Sequence, residues 1–183
     1  IPKLEISNDT IIHDLVEGHR NQTLAIIHYE KLISLEPEKI PLENLNDVLS
    51  KKIITGLREY GFSGLLPFQE ESIRSILKGN NSIISAPTGS GKTEAFIIPI
   101  LQKILENPIE GVFVLLVYPL NALIDDQVSK ISELIEKCKL NNIVSTYSIH
   151  GGQSSQYKDK IISESYKKSI ILATNFDFIN YHL

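Results

Sequence analysis

Sulfur and large aromatic side chains are scarce in this chain. Its 183 residues include one cysteine, Cys138, with no methionine and no tryptophan. A single thiol excludes a disulfide framework or a cysteine zinc cluster within the chain. The 5 histidines are scattered and show no metal-ligand spacing. No run is long and apolar enough to span a bilayer, and the start lacks the charged-then-apolar layout of a leader. Positive charge is in short supply too. Lys and Arg number 18 against 22 Asp and Glu, a formal net charge of −4. That argues against a generic basic coat for nucleic acid, yet leaves room for a local groove built from helix N-termini and backbone amides. What remains is 42% hydrophobic and 22% charged, the make-up of a soluble globular protein with one domain, a substantial core and an appendage. With its lone cysteine, it fits a reducing, cytoplasmic setting. The chain begins at Ile1 without any methionine, as expected of a piece of something longer.

One stretch is rich in what the rest lacks. Ser85-Ala86-Pro87-Thr88-Gly89-Ser90-Gly91-Lys92-Thr93-Glu94 places small, flexible residues between two apolar segments. Before it, Ser82-Ile83-Ile84-Ser85 is β-branched and bounded by Gly79-Asn80-Asn81, so it reads as a short buried strand. After it, the residues to Leu105 read as a helix. A glycine-rich turn between strand and helix aims backbone N–H groups at the positive helix end, an arrangement suited to a polyphosphate. Lys92 would reach the β- and γ-phosphates, and the Thr93 hydroxyl would ligate Mg²⁺. Pro87, Thr88, Gly89, Ser90, Gly91, Lys92, Thr93 and Glu94 are therefore the candidate nucleotide contacts. Ala86 stands where the G-x-x-x-x-G-K-[ST] pattern has its first glycine, and a chance glycine turn before a helix is the plain alternative.

The remainder organises around this turn. Asn8 to Gly18 predicts a short helix, and Thr23–Leu35 is apolar but irregular, with Pro37 and Pro41 as breakers. Leu45, Val48, Leu49, Ile53 and Leu57 predict a helix from Leu45 to Tyr60, stopped by Gly61. Residues 62–67 form a connector, and Phe68–Leu77 is helical again. Strands and helices then alternate: Val112–Tyr118, Asn121–Lys137, Ile143–Ile149, Gln156–Tyr166, Ser169–Ala173 and Phe176–Leu183. Alternation of this kind implies a parallel sheet with right-handed crossovers. The run Val112–Val117 is apolar throughout, as a strand covered on both faces should be.

Three unusual segments follow strands, where open parallel sheets place their ligands. They are Tyr118-Pro119-Leu120-Asn121-Ala122-Leu123-Ile124-Asp125-Asp126-Gln127, His150-Gly151-Gly152, and Thr174-Asn175-Phe176-Asp177. With these in view the chain resembles the superfamily 2 helicases. APTGSGKT is similar to their motif I, in which alanine replaces the first glycine. YPLNALIDDQ is similar to motif Ia in the DNA-helicase branch with Lhr-like and Hrq1-like members. His150-Gly151-Gly152 is similar to the GG element, ILATNFDF to motif Ib, and Gly61-Phe62 with Leu66-Pro67-Phe68-Gln69 to the Q motif. Order and spacing agree from about Gly61 to the end. Phe176 departs from the usual proline of motif Ib. No apolar strand ends in the Asp-Glu of motif II, and motif III and a second RecA-like domain with its arginine finger are absent.

The resemblance implies a P-loop NTPase fold of the α/β class: a RecA-like parallel sheet flanked by helices over 61–183, truncated before motif II, behind a mostly helical extension over 1–60. It implies ATP and Mg²⁺ as cofactors, one nucleic-acid strand (DNA rather than RNA) as partner, and a second RecA-like domain of the same parent chain. Lys92 and Thr93 would be the catalytic residues of this part, and Gln69 would read the adenine edge. Pro119, Leu120, Asn121, Gly151, Gly152, Thr174 and Asn175 would face the strand. Each has a plainer reading. Gln69 would be a polar residue opening an exposed helix, Asn121 an N-cap, Gly151 and Gly152 a tight turn, Thr174 and Asn175 caps. Asp125 and Asp126 read as a solvated helix face, and His150 as structural.

The leading function is the N-terminal part of an ATP-dependent DNA helicase or translocase, inactive by itself because hydrolysis needs a motif II carboxylate and an arginine. The alternative is a nucleotide-gated nucleic-acid-binding scaffold without turnover. A small-molecule kinase explains the first motif only. The family's strand order would put Ser169–Ala173 between Val112–Val117 and Ile143–Ile149, all parallel, and would leave Ser82–Ser85 unpaired with Val112–Val117.

Overall fold

The computed structural model describes residues 38–151 and 153–182. The chain divides into two units, Ile1–Glu36 and Pro37–Leu183. The helix expected over 8–18 and the apolar stretch over 23–35 lie outside the described residues.

The second unit opens on a single 3-10 turn, Leu42–Leu45, followed by α1 (Lys51–Tyr60) and α2 (Pro67–Leu77). The predicted helix over 45–60 is thus broken in two. Ser50 adopts extended backbone, and its Oγ accepts from Ile53 N at 3.3 Å, so a serine N-cap starts a fresh helix. Gly61, at φ 112, ends α1 with the left-handed turn that glycine permits. Pro67 opens α2 where a missing N–H costs nothing.

Next come α3 (Lys92–Glu106), β1 (Gly111–Tyr118), α4 (Asn121–Lys137), β2 (Val144–Ile149), α5 (Ser155–Ser165), β3 (Ser169–Asn175) and α6 (Phe176–His182). The three strands form one parallel sheet in the order β1-β3-β2. The motif Ib strand therefore lies between the other two, as the resemblance implied.

Helices cover both faces of this sheet. Thr146 is in register with Ile171 and Ser148 with Ala173; this face meets α4, whose Ile131, Leu134 and Ile135 share a buried cluster with Val144 and Ile171. Tyr147, in register with Leu172, points the other way and meets the Tyr157 ring of α5 edge-on. On the helical side α2 packs on α3 and α1 on α4, sealing Ile53, Leu57, Ile73, Ile98, Leu101 and Ile104. Each such side chain contributes roughly 1.5–3 kcal/mol of apolar transfer. The α1–α4 approach is close. A Cβ on Gly56 would stand 2.3 Å from Cys138 Sγ and 2.6 Å from its Cα. Burial also pushes the Cys138 thiol up to about 11.

Two expectations fail on the outer side. Ser82–Ser85 is not a strand: residues 81–87 have no regular structure, and Ile83 is fully exposed. Its β-branched make-up allows a strand, but a strand exists only through pairing, and among the described residues nothing forms a ladder with it. Ser82 Oγ instead donates to Ser75 Oγ of α2 at 3.1 Å. Nor is β1 covered on both faces. Val112, Leu115 and Val117, in register with Ile170, Leu172 and Thr174, lie on the α5 face and are exposed. With no strand at Ser82–Ser85, the expected gap between it and β1 has no counterpart in the sheet.

Candidate nucleotide and nucleic-acid site

The glycine-rich turn owes its shape to two residues. Gly89 and Gly91 sit at φ 78 and φ 84, in the left-handed region that side chains disfavour. Ser90 N and Oγ both donate to Pro87 O, at 3.4 and 2.8 Å, and close the loop. Gly91 is the N-cap of α3, so Lys92, Thr93 and Glu94 form the first helical turn, where free N–H groups and the helix dipole favour an anion. The Lys92 ammonium folds back onto the loop and donates to Ala86 O and Pro87 O, both at 2.6 Å.

Gln69 braces the loop from α2. The side chain is 3% exposed; its Oε1 accepts from Leu66 N at 2.8 Å and its Nε2 donates to Gly91 O at 2.9 Å. It is therefore no polar residue on an exposed helix, and one amide N–H is left for a ligand. A Cβ at Gly91 would meet Gln69 Nε2 at 2.4 Å, a second reason for glycine there. Beside this brace lies a cleft of about 340 Å³ bounded by Tyr60, Phe62, Leu66, Gln69, Ser90 and Glu94. The Tyr60 and Phe62 rings stack at 5.8 Å on its wall. Burial raises the Tyr60 phenol above its ordinary value, with Glu133 and Glu94 adding to the effect. The cleft thus offers aromatic surface next to a phosphate-type loop.

Thr93 points elsewhere. Its Oγ1 donates to Gln127 Oε1 on α4 at 2.7 Å. Gln127, the last residue of YPLNALIDDQ, is a site residue that motif spacing does not single out, and Asp126 lies on the exposed helix face. The structure shows Gln127 Nε2 donating to Asp126 Oδ2 at 3.2 Å, and Asp126 paired with Lys130 at 2.7 Å. A signal was available: Gln127 falls on the inward stripe of α4, between Ile124 and Ile131, where a polar side chain needs a partner. Gln102 is a parallel case on α3. It is 4% exposed and holds Ser50 N at 2.8 Å and Glu106 at 2.7 Å.

The three loops after the strands gather at one edge of the sheet, because Tyr118 is in register with Asn175 and Ile149 with Thr174. Pro119, Leu120 and Asn121 are exposed. Asn121 is not an N-cap: Leu120 occupies that position without a side-chain bond, and Asn121 Oδ1 accepts from Asn175 Nδ2. Asn175 caps α6, its Oδ1 accepting from Phe178 N at 2.6 Å. Thr174 is 1% exposed and its hydroxyl is buried, so its side chain does not reach solvent. Gly151 is exposed, with open space around its Cα; Gly152 lies outside the described residues. The His150 backbone N–H donates to Gln153 Oε1 at 3.0 Å, and its ring lies 3.7 Å from Asp125. Among the described residues no group of three or more His, Cys, Asp or Glu could hold a metal, and no helix is long and apolar enough to cross a membrane.

The profile of the DEAD/DEAH box helicases matches residues 66–183, more than half of the chain. The chain belongs to the DEAD/DEAH box helicase family. The chain is 32% identical over 154 residues to the ATP-dependent RNA helicase ROK1 of Kluyveromyces lactis, covering 80% of this chain and 26% of that protein. It is 28% identical over 177 residues to the ATP-dependent RNA helicase DBP4 of Debaryomyces hansenii, covering 92% of this chain and 22% of that one. It thus spans about a quarter of the length of these relatives. Among solved structures, the DEAD-box helicase Mss116 bound to ssRNA and UDP-BeF superposes with a TM-score of 0.64 at 26% identity, over 75% of this chain and 29% of that chain. The DUF1998 helicase MrfA bound to DNA and AMPPNP superposes with a TM-score of 0.73 over 93% of this chain and 22% of that one. At 22% identity this last likeness speaks to the fold alone. The three-stranded parallel sheet with flanking helices is accordingly a RecA-like helicase fold.

Proposed function

We propose that this helicase chain, over residues 61–183, is the nucleotide-binding part of an ATP-dependent motor that moves along a nucleic-acid strand. The observation that carries the reading is the turn at Pro87–Lys92. Two left-handed glycines, a lysine folded onto loop carbonyls and a buried glutamine brace converge at the start of α3. A triphosphate takes the Lys92 ammonium from Ala86 O and Pro87 O and receives the first-turn amides of α3. The adenine enters the cleft by Tyr60 and Phe62, within reach of the free N–H of Gln69. The Thr93 hydroxyl gives its proton to Gln127, so its oxygen lone pairs suit a divalent cation. Mg²⁺ takes few protein ligands and several waters and phosphate oxygens, which matches a site with one hydroxyl; when bound, it screens the phosphate charge. The exposed loop at Pro119–Asn121, with Gly151 beside it, meets the strand through backbone and small side chains, which carry little base information. Asn121, Asn175 and Thr174 serve this surface mainly by holding its shape.

Two observations pull the strand chemistry apart. The named sequence relatives are RNA helicases, which favours RNA. The form of YPLNALIDDQ favours the DNA branch. The intact protein carrying this chain, assayed for ATP hydrolysis with single-stranded RNA and with single-stranded DNA, decides between them by which one stimulates turnover. Binding without turnover on either would replace the motor by the nucleotide-gated scaffold. Lys92→Ala should weaken a fluorescent ATP analogue at least about tenfold, since a charge-assisted hydrogen bond contributes roughly 1.5–3 kcal/mol. Unchanged affinity would remove the loop from the reading. Gln69→Ala separates its two roles: equal weakening of ATP and GTP marks a brace, and loss of discrimination marks an adenine reader.

A further inference from the structure

Among the described residues, the Thr93–Gln127 hydrogen bond is the one side-chain bond that joins α3 to α4. We propose that Gln127 is a positioning residue: it fixes the direction of the Thr93 hydroxyl so that its lone pairs meet a divalent cation carried by the nucleotide. This rests on the nucleotide reading above.

A threonine hydroxyl has one proton and rotates freely, so in isolation its lone pairs have no fixed direction. Here the proton goes to Gln127 Oε1 at 2.7 Å. An amide offers either oxygen or nitrogen, and the assignment needs a second partner. Asp126 supplies it. A carboxylate only accepts, so the amide nitrogen turns to Asp126 Oδ2 at 3.2 Å and the oxygen is left for Thr93. Asp126 is held in turn by Lys130 at 2.7 Å, one helical turn on. In the series Lys130–Asp126–Gln127–Thr93 the carboxylate accepts from both the Lys130 ammonium and the Gln127 amide, and Gln127 Oε1 accepts from the Thr93 hydroxyl. Coordination of a hydroxyl to a cation makes its proton more acidic, so the bond to Gln127 strengthens when the cation arrives. In this proposal Gln127 acts through Thr93, as outer partners of metal ligands do.

The test uses the intact protein carrying this chain and a fluorescent ATP analogue, titrated once with Mg²⁺ and once with EDTA. Gln127→Leu removes the acceptor at similar volume. It should weaken the Mg²⁺ titration about tenfold, the low end for losing an outer partner of a metal ligand, and leave the EDTA titration unchanged. Gln127→Glu keeps an acceptor and should retain the Mg²⁺ advantage. Equal losses with and without Mg²⁺ would reveal a merely structural glutamine and overturn the proposal, as would no loss at all. If Gln127→Leu does not fold, Gln127→Glu still decides: loss of the Mg²⁺ advantage there overturns it, and retention supports it. A wild-type protein that fails to bind the analogue overturns the nucleotide reading together with this one. A wild-type protein that binds, with a Mg²⁺ advantage that Gln127→Leu keeps in full, overturns this one alone.

Discussion

Leu101 and Leu115 are the same residue in consecutive elements, yet Leu101 is 1% exposed and Leu115 is 51% exposed. Leu101 belongs to the helical wall, where α1, α2, α3 and α4 close on one another. Leu115 belongs to the open side of the sheet, with Val112 and Val117. The difference lies in what each element needs. A helix satisfies its own backbone and has only to find apolar neighbours for one stripe. A strand needs a partner for its backbone and a layer for each face. The wall meets its needs within residues 38–140. The outer edge of β1 and the segment before the turn do not meet theirs among the described residues, and they leave apolar side chains in water.

The sharpest way to break this contrast is to truncate both leucines. Leu101→Ala should cost about 2–5 kcal/mol in urea unfolding, whereas Leu115→Ala should stay within about 0.5 kcal/mol. Similar costs would mean that the open side is buried in solution. A smaller effect probes how tightly the wall is closed. Gly56→Ala pushes a methyl into Cys138 and should cost about 1–3 kcal/mol, because packed helices yield little to an added carbon. A neutral substitution would show that α1 and α4 separate easily.

The wall could be read from residue order, but the open side could not: Val112–Val117 is apolar throughout, yet Val112, Leu115 and Val117 are exposed. The bounds of α4, Asn121–Lys137, are those read from the alternation of strands and helices. The order β1-β3-β2 followed from the family likeness and from no periodicity. Ser82–Ser85 misled because local composition measures what a segment tolerates, while pairing depends on residues far away. The long helix over 45–60 misled because Leu45, Val48 and Leu49 keep helical spacing through a turn; the break rests on Ser50, a serine like many others until its hydroxyl finds Ile53 N. The glutamines were the least legible. Gln69, Gln102 and Gln127 each sit on an inward helix face, and their partners lie 22, 52 and 34 residues away in sequence. Only the folded wall brings them together.

The smallest expected effect concerns pH. Two Arg74 N–H groups hold the Asp47 carboxyl below the usual carboxylate range, tying the start of the wall to α2. A folded value below the unfolded one makes this contribution complete above the usual carboxylate range. It fades as pH falls through the depressed value. Both groups are solvated, so the expected effect is slight. Asp47→Asn should lower the urea midpoint a little at about pH 7, and the difference should shrink steadily as pH falls below the usual carboxylate range. A difference that persists in acid would show that Asp47 acts by something other than its charge.

The wall also contains its own clock. Cys138 is 1% exposed, its thiol is pushed up to about 11, and it is the one sulfur in the chain. At neutral pH it is protonated and shielded, so an alkylating reagent reaches it only when α1 and α4 come apart. The labelling rate, divided by that of the denatured chain, then reads the population of the opened wall. No tag or added probe is required. Nucleotide binding that closes the wall should slow the label by as much as it lowers that population.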